Sequence, residues 1–489
     1  MHFMPSALYS RAAALESLAA HDSRFPRSAA AEILRDPANE KLLGYVFSEA
    51  FTHVFPGDRA GHPPRDFFAE LDEELASTPS YHLWTLVPLC RYRCHFCQFP
   101  IMVLSADEER SAEAGRRWVD ANIAEARLWL EAVPSLASAP VGEFCLFGGT
   151  PTAIAASQIE RLMDFYTTNF NFTPQTSLRA EGSPDTLTPD MVARLRGMGF
   201  ANLTYGIQSF DDRLLELANR RHTGTEAEKA LRHAREHGFA RVDGDLVYGL
   251  PGQDVPSFLS DIHRMIDLGF DTIVAIKLHL RSFGEVTSAI GHVAPTPWES
   301  AQVRRRIAES GHRWPSLGEQ YQMREAAVSR LHQAGYSEHP TTYFPHDDAG
   351  PQHWRSLNLD QERQYPQVGI GLGGYTWSSL SEANVVSDPR RYQEAIAAGR
   401  IPLETVTSIS PNEREVRAVR MALSTCQPLR DDIHQARFPG SSLFGARWSP
   451  ALRALADRGL VTVDTAARTV ALTPVGMTLV EAIMNAEIR

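Results

Sequence analysis

The sequence predicts an α/β protein built on a partial (β/α)6-type barrel, preceded by a helical arm and followed by a small winged-helix-like α+β domain. Three observations lead there. Between residues 81 and 278, short apolar runs alternate with amphipathic stretches of helical length. Polar and glycine residues gather where those runs end. Beyond residue 410 the rhythm changes to two helical patterns, an extended ribbon and a last helix.

The strand candidates are residues 83–87, 143–147, 177–181, 201–207, 241–247 and 272–278, with helical patterns at 107–131, 157–169, 225–236 and 255–268. Strands that alternate with helices pair in parallel, because each return to the same edge needs a crossover. Six such units suit a partial barrel. Ahead of them, residues 1–78 read as an arm with helical patterns at 6–20 and 32–50 and a Pro/Gly-rich break at 55–65. Residues 79–400 read as the barrel with its extension, and 401–489 as a domain that covers the substrate. That domain has helices at 412–424 and 449–458, extended pieces at 460–463 and 468–472, and a helix at 474–486.

At 489 residues the chain is long for one hydrophobic core. Its net charge of -11, and the lack of a dense Lys/Arg helix face, argue against nucleic acid as a partner. No apolar run is long enough for a bilayer span and no signal peptide opens the chain, so no membrane association and a cytoplasmic location are expected. The five cysteines fit no closed disulfide framework, and Cys90, Cys94 and Cys97 crowd into one loop. Clustered thiols in a reducing compartment point to metal or redox chemistry.

The Cys90-x3-Cys94-x2-Cys97 spacing follows the first strand directly. A structural zinc site wants four ligands, commonly as two separated pairs, and no second pair is in evidence. A thioredoxin-type motif uses two cysteines. Three thiolates on a cubane [4Fe-4S] cluster leave one iron open to an external ligand. Methionine's amino and carboxylate groups, carried by S-adenosylmethionine (SAM), suit that position, and a reducing cluster beside the sulfonium can split its C5′–S bond.

The other strand ends fit the same site, since parallel barrels place their chemistry at the C-terminal ends of their strands. Gly148, Gly149 and Thr150 end the second strand, where glycine lets backbone approach a ligand. Glu181, Gln208 and Asp245 end the third, fourth and fifth. A carboxylate suits ribose hydroxyls, and the guanidinium fork of Arg220 suits a carboxylate. Trp84 and Tyr248 are candidates to border the cofactor, and His82, His95 and His222 are candidates for proton handling. Cys145 and Cys426 read as small buried hydrophobes. The run Val368-Gly369-Ile370-Gly371-Leu372-Gly373-Gly374-Tyr375 lacks the context of a dinucleotide fingerprint, so it suggests a second ligand pocket or close backbone packing.

Taken together, residues 90–97, 147–152, 203–210 with Arg220, 245–251, 331–336, 369–375 with Asn384 and Tyr392, and 472–476 resemble a radical SAM family. Its members are the oxygen-independent coproporphyrinogen III oxidases, the related haem chaperones and the class C radical SAM methyltransferases. The resemblance implies cluster ligation by Cys90, Cys94 and Cys97, and SAM contacts from Gly148, Gly149, Thr150, Glu181, Gln208, Arg220 and Asp245. Some members bind a second SAM, and the region of Gly371 and Gly373 would help shape that site. The chain departs from the family at Trp84, Leu86, Phe99 and Phe147, where it commonly carries Tyr, His, Cys and Gly.

Those departures favour methyl or methylene transfer from a second SAM to an sp2 carbon of an aromatic or heteroaromatic small molecule. The alternatives are decarboxylation of coproporphyrinogen or modification of haem, and a haem chaperone without turnover. An electron donor such as flavodoxin or ferredoxin is expected in each enzymatic case.

Overall fold

A computed structural model describes residues 36–42, 67–278, 296–348, 361 and 364–488. The helical pattern expected at 6–20, most of that at 32–50 and the break at 55–65 lie outside the described residues. Two helices, α1 (Pro37–Leu42) and α2 (Phe67–Ser77), precede the sheet. The chain continues through β1 (Tyr81–Val87), β2 (Leu89–Cys90), β3 (Met102–Val103), α3 (Glu108–Ala132), β4 (Pro140–Gly148), α4 (Ala156–Asn169) and β5 (Asn171–Gly182). Next come α5 (Pro189–Gly197), β6 (Asn202–Gln208), α6 (Asp212–Leu217), α7 (Gly224–Glu236), β7 (Arg241–Tyr248), α8 (Val255–Leu268) and β8 (Thr272–Lys277).

Then α9 (Ala301–Glu309), α10 (Leu317–Gln333) and β9 (Tyr343–Pro345) lead to β10 (Gln367–Ile370), β11 (Tyr375–Trp377), β12 (Ser381–Val385), α11 (Pro389–Ala397) and β13 (Leu403–Ser408). The C-terminal module contains α12 (Pro411–Ser424), β14 (Leu429–Arg430), α13 (Asp431–Arg437), α14 (Ser449–Asp457), β15 (Val461–Asp464), β16 (Thr469–Leu472), α15 (Pro474–Thr478) and α16 (Val480–Ala486).

Six strands in the order β1-β4-β5-β6-β7-β8 pair in parallel, as the alternating pattern predicts. Among the described residues the sheet stays open. It grows at one edge by the parallel β10 and the antiparallel meander β11-β12-β13, and at the other by the antiparallel β9. The meander pattern was not anticipated, because β12 reads Ser-Glu-Ala-Asn-Val and β11 is three residues long, so neither shows an apolar run. β13 pairs with β12 from Ser381↔Ser408 to Val385↔Leu403, which carries the main sheet past residue 400. The separate module begins at α12 and holds the small sheet β14-β16-β15.

Alternation along the strands sorts apolar residues outward and polar residues inward. Leu83 and Val87 of β1 join the core formed with Trp118, Val119, Ala126 and Trp129 of α3. On the opposite face, Glu143, Arg179, Glu181, Asp243 and Asp245 line the interior of the half-barrel. There Arg179 bridges Glu143 at 3.6 Å and Glu181 at 2.9 Å. The helices begin at strong caps: Asp107 accepts from the Arg110 N–H, and capping boxes start α7 (Thr223/Glu226) and α10 (Ser316/Glu319).

Buried polar contacts pin the C-terminal module to the barrel. Arg324 of α10 holds Glu338 at 2.8 and 3.0 Å and donates to Met477 O and Thr478 Oγ1. Arg417 of α12 donates to Ser378 O at 2.7 Å.

A second buried centre ties α3 to the glycine-rich turn. Glu125 accepts from Tyr392 Oη at 2.6 Å, from the Gly371 N–H at 2.9 Å and from Trp129 Nε1 at 3.3 Å. Burial outweighs these bonds and pushes the Glu125 carboxyl up to about 7 from 4.5. An acid raised in the folded state stabilises the fold while protonated. Its contribution is fully present below about 4.5 and is lost as pH rises through about 7. Asp243, pushed up to about 7 by burial, acts in the same direction. Urea titrations of the metal-free protein are therefore expected to show stability falling between pH 4.5 and 7 by about 3 kcal/mol on account of Glu125. Glu125→Gln should flatten that slope, and an equal slope in the variant would contradict this account.

Candidate active site

β1 ends where the cysteine loop begins, and the β2–β3 ladder (Leu89↔Met102, Cys90↔Val103) clips the two ends of that loop together. Backbone contacts then fix the loop against the far side of the barrel. The His95 N–H donates to Ala218 O at 3.0 Å, and Asn219 Nδ2 donates to Arg93 O at 2.7 Å. Cys90, Cys94 and Cys97 thus face one cavity of about 160 Å³ at the C-terminal ends of the parallel strands.

The same cavity is lined by Gly148, Gly149, Thr150, Glu181, Gln208, Arg220 and Asp245, seven residues singled out from the strand ends. Tyr92, Ser183, Asp185 and Thr204 also line it and were missed. Ser183 and Asp185 follow Glu181 directly, so the polar run after that strand carried the signal. Tyr92 lies within the cysteine loop and bonds Asp185 Oδ1 at 3.0 Å.

Trp84, Gly371 and Gly373 stand apart from this cavity. Trp84 packs edge-on to Phe147 with ring centroids 5.0 Å apart, and its indole N–H has no partner among the described residues. Gly371 serves close packing: at φ 108°, a Cβ there would lie 2.4 Å from Leu86 O. Gly373 sits against Pro100. Tyr248 packs on Phe258 in the outer core.

The electrostatics sort the remaining candidates. Burial lowers His82 and His222 to about 3, so both are neutral imidazoles near pH 7 and carry no positive charge there. Asp245 is raised well above its ordinary value, first by burial and then by Glu181 and Asp243. The carboxyl groups of Glu181 and Asp245, with Asp245 biased toward its protonated form by burial, suit the hydroxyls of a ribose diol. Gln208 holds φ at 73°, a left-handed conformation that non-glycine residues seldom adopt outside functional positions. Arg220 is enclosed. It donates to Cys94 Sγ at 3.3 Å, to Ser183 Oγ at 2.9 Å and to Gly206 O, while its Nε has no partner among the described residues.

Burial pushes the Cys90 thiol up to about 11 and the Cys97 thiol up to about 12. Metal loading must therefore release the protons of Cys90 and Cys97. Among the described residues no three His, Cys, Asp or Glu side chains converge on a point that one metal ion could occupy. A single zinc would need its sulfurs about 2.3 Å from one centre. A cubane instead spreads its thiolates over separate irons.

Residues 84–265 match the radical SAM superfamily. Those residues form a radical SAM domain, and the chain is similar to proteins of the coproporphyrinogen III oxidase-like group. It is 24% identical over 350 residues to the oxygen-independent coproporphyrinogen III oxidase of Helicobacter pylori, covering 70% of this chain and 71% of that one. It is also 24% identical over 380 residues to the heme chaperone HemW of Bacillus subtilis, covering 77% and 91%. The radical SAM enzyme fold is shared with coproporphyrinogen III oxidase (HemN) of Escherichia coli at a TM-score of 0.71 and 22% identity, over 91% of this chain and 98% of that one. The family implies a [4Fe-4S] cluster and SAM. None of these relatives is a methyltransferase, and a second SAM is not shown. Among the described residues no helix is long and apolar enough to cross a membrane.

One substitution tests the loop directly. A Cβ on Gly149 would lie 2.9 Å from Cys90 Sγ and 2.9 Å from the Pro88 carbonyl carbon, and backbone cannot give way as a side-chain end can. Gly149→Ala is expected to lower iron bound after reconstitution while the far-UV spectrum stays that of the parent. Full iron content in the variant would show that the loop has slack.

Proposed function

We propose that this enzyme holds a [4Fe-4S] cluster through Cys90, Cys94 and Cys97, binds SAM across the cavity, and acts by hydrogen-atom abstraction on a conjugated, tetrapyrrole-like small molecule. The observation that carries this reading is the convergence of the three thiols with Glu181, Gln208, Arg220 and Asp245 on one cavity. When bound, the cluster and SAM supply a 5′-deoxyadenosyl radical after one-electron reduction by a carrier such as flavodoxin or ferredoxin. The chain's own part is binding and shielding. Arg220 Nε, which has no partner among the described residues, would receive the carboxylate of SAM, and Glu181 with Asp245 its ribose hydroxyls. The glycine backbone at 148 and 149 admits the amino group, and Phe96, Phe99 and Ile101 give the cavity an apolar wall that keeps water from the radical.

The relatives favour radical decarboxylation of a coproporphyrinogen-type substrate, in which a propionate side chain loses a hydrogen atom to the 5′-deoxyadenosyl radical, then CO2, and passes the remaining electron to an external one-electron acceptor. Methyl or methylene transfer from a second SAM is a second reading, and it rests on Phe99 and Phe147 replacing residues common in the oxidases and on Trp84 filling that side of the barrel. Anaerobic reconstitution with iron and sulfide, followed by incubation with SAM, reductant and coproporphyrinogen III, separates them. The expected products are 5′-deoxyadenosine and CO2. S-adenosylhomocysteine with 5′-deoxyadenosine would favour transfer from two SAMs, and tight haem binding without turnover would favour a chaperone. Failure to bind iron and sulfide would end every version of the reading.

A further inference from the structure

The three thiols do not have equivalent surroundings. Cys90 Sγ is hydrogen-bonded to Thr150 Oγ1 at 3.4 Å, and Cys97 is met by the backbone N–H of Phe99. Cys94 Sγ, by contrast, accepts an N–H from a cation, the Nη1 of Arg220 at 3.3 Å, while Cys90 and Cys97 feel Arg220 and Arg93 only through space. That guanidinium cannot swing away freely. Its Nη2 is held by Ser183 Oγ and Gly206 O, and its plane lies over the Tyr92 ring at 5.8 Å. Within the loop, Arg93 donates to the Cys97 backbone carbonyl and Arg91 to the Asp185 carbonyl.

We infer that Arg220, besides any contact with SAM, is a positioning residue that tunes the cluster: its N–H···S bond to Cys94 raises the reduction potential. The inference rests on the proposed cluster site. Reduction adds one negative charge to the cluster and its thiolates. A buried cation bonded to one of those sulfurs stabilises the reduced form more than the oxidised form, and low local dielectric enlarges the difference. Thr150 and Phe99 offer neutral donors and contribute less. The placement makes Cys94 the electronically distinct ligand of the three.

The test uses SAM-free protein loaded with iron and sulfide, titrated potentiometrically with EPR detection of the reduced cluster. At the wild-type midpoint, Arg220→Met is expected to show a roughly tenfold lower ratio of reduced to oxidised cluster, about 59 mV for one electron. Arg220→Lys, which keeps charge but loses the planar fork, should fall between. Unchanged midpoints in both variants at full iron content would overturn the inference and leave the proposed function standing. Wild-type protein that binds no cluster would overturn both. If Arg220→Met fails to load, Ser183→Ala decides. It loosens the guanidinium while retaining it, a lower midpoint supports the inference, and one equal to wild type overturns it.

Discussion

Cys94→Ala is expected to abolish the cluster and to lower formation of 5′-deoxyadenosine by about a thousandfold or more, equivalent to ~4 kcal/mol of barrier. Cys94 is the middle thiol of a loop whose outer ends are already clipped by the β2–β3 ladder. Two remaining thiols leave two irons without protein ligands, and water competes for both. The variant should nevertheless fold. The loop is also held by His95 to Ala218 and by Asn219 to Arg93, and neither contact uses the thiol. Iron and sulfide assays and the visible absorbance of the reconstituted protein read the first effect. Chromatography of the nucleoside product reads the second. Cys145→Ala and Cys426→Ala, at buried positions remote from the loop in sequence, should keep full iron. Full iron content in Cys94→Ala, or cluster loss in Cys426→Ala, would contradict the assignment.

Arg179→Met is expected to destabilise the metal-free protein by about 3–5 kcal/mol, because it strands buried carboxylates. The Arg179 and Glu143 side chains are 5% and 1% exposed, and Glu181 at the cavity edge shares the same guanidinium. With the arginine gone, Glu143 loses a buried cation and must stay charged without it or take up a proton, and either costs free energy. Urea denaturation monitored by fluorescence measures the loss. Adding Glu143→Gln should recover part of it, since the two residues act as a unit. The same variant should weaken SAM binding, measured on reconstituted protein, because Glu181 loses the partner that orients it. A loss below about 1 kcal/mol would mean that the inner charge layer contributes little to the fold.

The inner layer also shows where sequence reasoning stops. The strands around Glu143, Arg179 and Asp243 were recognisable from their apolar residues, but the pairing among their charges was not. That pairing depends on which strands are neighbours, and β4 lies between β1 and β5 only in the folded sheet. The meander strands β11 and β12 were missed for a related reason. Their residues include Thr376, Ser381 and Glu382, which are buried because α12 and neighbouring strands cover them. Nothing local in those residues announces burial. The glycine-rich turn illustrates the same point: spacing suggested a ligand or tight packing, and only the proximity of Leu86 O and Glu125 to Gly371 reveals the packing.

By itself the sequence determined the covalent chemistry available: three thiols in one loop, a guanidinium, two carboxylates and glycines at successive strand ends. It also determined the alternation that makes parallel strands with helices outside. The tertiary structure alone decided that these groups share one cavity, that Arg220 bonds Cys94, and that Trp84 and Gly371 lie outside it. Residue identity and periodicity are local properties of a chain. Convergence is set by strand order and register, which are properties of the packed sheet.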